Sequence, residues 1–311
     1  MTTHQLEALL REYPTPFYVF DLEALRSRVS YLREHLPEGV ALCYAMKANP
    51  FVTGALEQSV ESFEVCSPGE YRICRAMDLP PEKLVISGVY KSPADTAEMV
   101  EQFPEMTYTV ESPAQLELLN RCAQASGRRI RVLLRLTSGN QFGMDESVLR
   151  QVIARRSERL WLCFTGIQYF SGTQKTLRKL KRELSRLETL LVDFEAQYGY
   201  RPEELEFGPG LPVAYFQSDE LDESVFFREF SELLQPLLER VPVKLELGRS
   251  IAASCGTYLT RVVDAKTNRG ENYAILDGGI HHLVYYGQTM AMKLPHYQLL
   301  PERSGDCSGQ L

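Results

Sequence analysis

Apolar residues along this chain fall into short continuous runs separated by stretches with helical spacing. The runs near 40–46, 62–66, 84–87, 107–110, 130–136, 161–169, 204–207 and 243–247 read as strands buried on both faces. Between them, apolar positions recur every three or four residues near 52–59, 68–77, 93–103, 112–126, 145–157, 175–199 and 223–239, which predicts helices. The longest of these carries Leu177, Leu180, Leu184, Leu187, Leu191 and Phe194 on one stripe. A further helix is predicted ahead of the first strand, where Leu22, Leu25, Val29, Leu32 and Leu36 share a face and Asp21 can cap it. Strands alternating with helices predict a parallel α/β protein. Eight of them point to a closed (β/α)8 TIM barrel over residues 22–250, with an open doubly wound sheet as the alternative.

Beyond residue 250 the rhythm changes. Thr257-Tyr258-Leu259-Thr260-Arg261-Val262-Val263-Asp264 and Tyr273-Ala274-Ile275-Leu276-Asp277 read as consecutive strands with no helix between them. They predict a second, incomplete antiparallel β domain built from residues 1–21 and 251–311, which Pro16-Phe17-Tyr18-Val19-Phe20 can join. The polar, Gly- and Ser-containing stretch 302–311 reads as a frayed end.

Composition narrows the partners. Of 311 residues, 44% are hydrophobic and 24% charged, as expected for a globular protein with a sizeable core. A net charge of −7 argues against nucleic acid or an anionic membrane as the main partner, and no apolar run is long enough to span a bilayer. The amphipathic start lacks the features of a secretory signal. The seven cysteines contain no Cys-x-x-Cys pair and mostly lie in apolar stretches, so a reducing cytoplasm is the expected location.

Three features carry candidate chemistry. Lys47 ends the first apolar run, and an amine aimed into a dry pocket loses its proton more readily and becomes a nucleophile able to form a Schiff base. Phe207-Gly208-Pro209-Gly210-Leu211 follows the seventh run, where glycines let backbone N–H groups approach an anion. Glu246-Leu247-Gly248-Arg249 follows the eighth and adds a carboxylate and a guanidinium. Taken singly, these are equally a solvated lysine, a glycine turn and a surface ion pair. In a closed barrel the first strand borders the eighth, so all three converge on one pocket. That set suits pyridoxal 5′-phosphate (PLP), with Lys47 for the aldehyde, the glycine loop and Arg249 for the phosphate, and Glu246 for the ring nitrogen. His281 and His282 are poor metal ligands as a pair, because neighbours on a strand point to opposite faces.

Tyr44-Ala45-Met46-Lys47-Ala48-Asn49, Gly208-Pro209-Gly210 and Glu246-Leu247-Gly248-Arg249-Ser250 occur in an order and at a spacing that resemble the fold-type III PLP-dependent decarboxylases. That family includes diaminopimelate, ornithine and arginine decarboxylases. Supporting matches are Pro14-Thr15-Pro16-Phe17-Tyr18-Val19-Phe20-Asp21, Glu64-Val65-Cys66-Ser67-Pro68-Gly69-Glu70, Phe142-Gly143 and Asp277-Gly278-Gly279. The resemblance covers residues 14–290 and implies decarboxylation of an amino acid or amino-acid derivative. It implies that Lys47 is the Schiff-base lysine, that Gly208 and Gly210 bind the phosphate with Arg249, that Gly248 belongs to the cofactor site, that Glu246 holds the pyridine nitrogen and that Arg135 lies beside the cofactor. An amino-acid racemase on the same fold is the alternative, and Glu246 argues against it, since racemases of this fold tend to place an arginine there.

The departures from the pattern are specific. Phe170, in Gly166-Ile167-Gln168-Tyr169-Phe170-Ser171-Gly172-Thr173-Gln174, stands where the family usually stacks a histidine on the cofactor. After Asp277-Gly278-Gly279 the chain reads Ile280-His281-His282-Leu283-Val284-Tyr285-Tyr286-Gly287-Gln288, without the arginine and tyrosine of a diaminopimelate enzyme. This points to relatives that act on carrier-bound or modified amino acids. Family members also continue past residue 311 into a cysteine proton donor and a tyrosine that act across a dimer interface. Cys307 matches that motif poorly. The resemblance therefore implies a truncated chain that acts as a homodimer, needs a complementing C-terminal chain, or binds PLP without turnover.

Overall fold

Short strands of nearly unbroken apolar sequence leave no face for water, and the structure buries them accordingly. The computed structural model describes residues 1–279, 281–283 and 293–301. In chain order its strands are β1 (Phe17–Phe20), β2 (Ala41–Ala45), β3 (Ser62–Val65), β4 (Leu84–Ile86), β5 (Thr107–Val110), β6 (Ile130–Leu136), β7 (Leu162–Phe170), β8 (Glu204–Gly208), β9 (Val243–Leu247), β10 (Gly256–Leu259), β11 (Val262–Asn268) and β12 (Glu271–Leu276). Strands β2 to β9 pair in sequence order, all parallel, and β9 closes onto β2 with Glu246 opposite Cys43. The closed eight-stranded barrel is as predicted, and the open sheet is excluded. Cys43, Val85 and Leu133, from alternate strands, form one buried apolar cluster.

Local sequence sets where the helices begin. Ser67, Ser92 and Ser112 each accept a hydrogen bond from the backbone N–H three residues on, with a proline at the first turn of the helices Pro68–Ala76, Pro93–Gln102 and Pro113–Ser126. The helix Leu177–Tyr198 buries Leu180, Leu184, Leu187, Leu191 and Phe194 and stops at Gly199, whose φ of 57° suits a left-handed cap. One predicted helix is corrected. Residues 52–59 form no α-helix, and two tight turns, Pro50–Val52 and Gly54–Leu56, take their place. Thr53 N–H donates to Pro50 O and Glu57 N–H to Gly54 O, bonds one residue shorter than an α-helix makes, in a stretch where Pro50 and Gly54 disfavour a continuous ladder.

The chain divides into two compact units. The larger comprises Arg26–Val213 and Asp222–Ala252 and contains the whole barrel. The smaller gathers Met1–Leu25, Ala214–Leu221 and residues from Ala253 onward. Within the smaller unit β1 pairs antiparallel with β10, Phe17 opposite Leu259, and β11 pairs with β12 as a hairpin. Asp277 accepts hydrogen bonds from Thr15 Oγ1 (2.5 Å), Thr260 Oγ1 (2.7 Å) and Arg261 N–H (2.9 Å). His281 and His282 do not lie on a strand. They form a turn closed by His282 N–H to Gly279 O (2.9 Å), with ring centroids 4.0 Å apart, because Gly278 and Gly279 end the strand before them. Ile280, Tyr285, Tyr286, Gln288 and Cys307 lie outside the described residues. No described helix is long and apolar enough to cross a membrane, and the six described cysteines are free thiols.

Candidate active site

Strand β2 ends at Ala45, and the chain turns tightly through Met46–Ala48, which sets Lys47 at the C-terminal end of the barrel. Gly248, just past β9, faces this turn. A Cβ there would lie 3.0 Å from Ala48 Cβ and 3.4 Å from Ala45 O, so glycine at 248 permits the close approach of the Lys47 turn.

Lys47 Nζ lies 2.5 Å from Glu64 Oε2 and 3.1 Å from Glu246 Oε1. It also stands 3.7 Å from Cys66 Sγ and 5.3 Å from the centroid of the Phe170 ring. Both carboxyl groups are buried, and each is held at its second oxygen. Glu64 Oε1 accepts from Ser87 Oγ (2.6 Å) and Cys66 Sγ (3.2 Å), while Glu246 Oε2 accepts from Gln168 Nε2 (3.2 Å). Gln168 Nε2 also donates to Glu206 Oε1 at 3.0 Å.

The electrostatics correct one expectation. Burial does pull the Lys47 ammonium toward deprotonation, but the charges of Glu246 and Glu64 reverse the effect and raise its pKa above the usual lysine value. Without a ligand, Lys47 is therefore a locked ammonium rather than a free nucleophilic amine. The two carboxyls titrate as a pair. Burial and the Glu64 charge push Glu246 up; Glu64, despite its own burial, is carried down by the Lys47 charge and hydrogen bond. Glu206 is pushed up to about 7 by burial, against the pull of the Lys244 charge.

The glycine loop sits beside this cluster. Gly208 ends β8 in register with Phe170 on β7, and a Cβ on Gly208 would collide with that ring. Gly210 has φ 56°, and a Cβ there would collide with Gly172 O. Neither position accepts a side chain, so the loop presents backbone. Lys175 ties it down, with N–H to Gly210 O (3.0 Å) and Nζ to Gly208 O (2.9 Å) and Glu183 Oε2 (2.8 Å). Gln174 grips Val213 through both its N–H (2.7 Å) and its carbonyl (2.8 Å).

The predicted residues are thus distributed unevenly. Lys47, Phe170 and Glu246 meet directly, Gly208 packs on Phe170, and Gly248 supports the Lys47 turn. Arg249, half-buried, opens the short helix Arg249–Ala252 after β9. Arg135 pairs through Nη1 with buried Glu111 Oε1 at 2.6 Å, and its guanidinium lies 5.0 Å from the Phe142 ring. Glu64, Gln168 and Lys175 were given no role from the sequence. The first two had a readable signal, a polar residue flanked by large apolar ones within a barrel strand, as in Ile167-Gln168-Tyr169 and Phe63-Glu64-Val65.

An amine, a buried acid and a closed glycine loop at the mouth of a parallel barrel match the family described as alanine racemase, N-terminal domain, whose model covers residues 20–208 of this chain. The chain belongs to that family. It is 27% identical to a diaminopimelate decarboxylase from Aquifex aeolicus, over 90% of this chain and 70% of that protein. It is equally 27% identical to an L-glutamyl-[BtrI acyl-carrier protein] decarboxylase from Niallia circulans, over 97% and 76%. A crystal structure from Aquifex aeolicus superposes with a TM-score of 0.78 at 26% identity, covering 88% of this chain and 68% of that one. The structure of SrLDC in complex with PLP and cadaverine shares the fold, with a TM-score of 0.80 at 22% identity over 90% and 72%. The fold-type III resemblance read from the motifs is borne out by these matches.

Proposed function

We propose that this chain is a PLP-dependent carboxy-lyase that decarboxylates an amino acid or an amino-acid derivative. The observation that carries the reading is Lys47 Nζ at the C-terminal end of the barrel, 3.1 Å from the buried carboxyl of Glu246. The donor set fits PLP. Lys47 would hold the aldehyde carbon, the backbone at Gly208 and Gly210 together with Arg249 would hold the phosphate, Glu246 would face the ring nitrogen, and Phe170 would pack on the ring. When bound, PLP supplies the electron sink that accepts the carbanion left as CO2 departs.

The chain's own residues prepare that site. Glu246 keeps a proton near neutral pH, because burial and the Glu64 charge disfavour a second buried carboxylate, and an acid of that kind can protonate a pyridine nitrogen. With Glu246 directed at a ring, Lys47 retains Glu64, 2.5 Å away, as its carboxylate partner. Phe170 offers a flat apolar face and no proton, so proton return to the product falls to another group. Arg135 keeps the Glu111 carboxylate neutralised within the larger unit. Relatives whose names specify a carrier-linked or modified amino acid support a substrate of that class, among them the 2-[(L-alanin-3-ylcarbamoyl)methyl]-2-hydroxybutanedioate decarboxylase of Staphylococcus aureus, 26% identical over 88% of this chain and 72% of that protein. The same reading takes the enzyme to be cytoplasmic and to act as a homodimer or with a complementing chain.

The test is addition of PLP to the purified chain, followed by measurement of CO2 release across amino acids and carrier-linked derivatives. Visible absorbance that is lost in Lys47→Ala, with CO2 released from at least one substrate, is the expected result. Loss of optical rotation without CO2 would assign a racemase instead.

A further inference from the structure

Below Lys47 and Glu246, the barrel contains charged groups that the proposed reaction does not use. Glu206 and Gln168 have no exposed surface, and the Lys244 side chain is only 15% exposed. Lys244 precedes Glu246 by two residues on β9, and Glu204 precedes Glu206 by two on β8. Strand alternation puts each pair on one face, the earlier residue on the order of 7 Å deeper from the barrel mouth.

These groups form one connected column. Gln168 on β7 donates through Nε2 to Glu206 Oε1 (3.0 Å) and to Glu246 Oε2 (3.2 Å). Strand β8 lies between β7 and β9, so the second bond crosses the barrel interior rather than joining neighbouring strands. Gln168 Oε1 is buried with no hydrogen-bond partner; the amide forgoes that bond to keep its N–H groups on two carboxyls. Below it, Lys244 Nζ lies 3.8 Å from Glu206 Oε2 and 2.6 Å from Glu204 Oε2, and Glu204 Oε1 lies 3.2 Å from the half-exposed Arg131. Three cations, Lys47, Lys244 and Arg131, thus face four carboxyls, Glu64, Glu204, Glu206 and Glu246. The column thus holds one carboxyl more than it has cations.

We propose that Gln168, Glu206 and Lys244 are positioning residues for Glu246: Lys244 fixes Glu206 as a carboxylate, and that charge, relayed across the shared Gln168 amide, keeps the column's one spare proton on Glu246. This inference rests on the PLP reading only in that the ring nitrogen is what meets the proton. Other groups facing Glu246 do not compete for it. Burial pushes the thiols of Cys43 on β2 and Cys66 beyond β3 well up, so both stay neutral, and Lys175 beyond β7 is paired with Glu183. Lys47 is shared with Glu64; Lys244, bonded to Glu204 at 2.6 Å, still draws the Glu206 pKa back against burial from 3.8 Å.

The test is infrared titration of the carboxylic-acid carbonyl band in the purified chain without cofactor. The expected result is a band above pH 7, where Glu206 is ionised, that disappears in Glu246→Gln. In Glu206→Gln its titration midpoint should fall by about one pH unit, because a buried like charge is gone. In Lys244→Met two cations face four carboxyls and Glu206 takes up a proton of its own, so the band should survive a second substitution, Glu246→Gln. A band that persists in the single Glu246→Gln variant, or an unmoved midpoint in Glu206→Gln, overturns the proposal. If Glu206→Gln shows no cooperative thermal melt, the Lys244→Met pair decides: loss of the band on adding Glu246→Gln overturns the proposal. Addition of PLP to the same proteins separates the two readings. Missing visible absorbance refutes the cofactor assignment and leaves the infrared result intact, whereas PLP binding with an unmoved midpoint refutes the column alone.

Discussion

Strands β3, β5 and β8 are buried at every position, whereas every residue of β11 is exposed. Both kinds of segment are rich in residues that favour strands, so propensity does not separate them. The hairpin of β11 and β12 is specified locally, by Arg269 and Gly270 at φ 53° and 84° in its turn and by Thr267 Oγ1 donating to Asn272 Oδ1 across it (2.7 Å). Its Val262, Val263, Tyr273 and Ile275 remain 40–58% exposed. The barrel strands are specified by removal of whole side chains from water, at roughly 1.5–3 kcal/mol for each large apolar residue. Turn chemistry is enough to form a hairpin, but it adds little to the stability of a core.

Four measurements test this contrast, and the largest effect lies at the site the barrel builds. Lys47→Ala should lower decarboxylase activity by about 10³–10⁶-fold while the chain still melts cooperatively, measured as kcat with saturating cofactor. Next, Phe63→Ala in β3, where the side chain is fully buried, should cost about 3–5 kcal/mol in urea unfolding. A loss below 1 kcal/mol would mean that the barrel core is no more committed than the hairpin. Third is pH. Glu206 is raised from 4.5 to about 7 and Glu246 is raised as well, so the folded chain binds protons that the unfolded chain releases. That stabilisation is complete below pH 4.5 and is lost as pH rises through 7, so thermal stability should decline across this window by about 1–3 kcal/mol. Glu64 shifts downward and acts only at lower pH, outside the same window. The smallest effect is expected in the hairpin, where Val263→Thr should change unfolding free energy by no more than about 0.5 kcal/mol.

Much of this was legible in the sequence, for reasons that differ from residue to residue. The barrel could be read because buried parallel strands print as short, largely apolar runs between helical stretches. Lys47, Glu246 and the 208–210 loop could be read because each closes such a run at its C-terminal end. The state of Lys47 could not, since its charge depends on Glu64, seventeen positions away in sequence and 2.5 Å away in space. The family resemblance placed Arg135 beside the cofactor; its partner Glu111, from the loop after the preceding strand, carried no signal in sequence. The tight turns over 50–56 escaped because apolar spacing alone does not distinguish one hydrogen-bond ladder from a shorter one.

The amide of Gln168 has one more consequence. A carboxylic acid, an imidazole or a water in its place would pass protons along the barrel axis toward solvent at Arg131. A carboxamide donates a hydrogen bond without giving up the hydrogen. The column therefore behaves as a capacitor rather than a wire: charge at its lower end is felt at its upper end, yet no proton flows between them. At Gln168 the link between the carboxyls at the two ends carries charge but no proton.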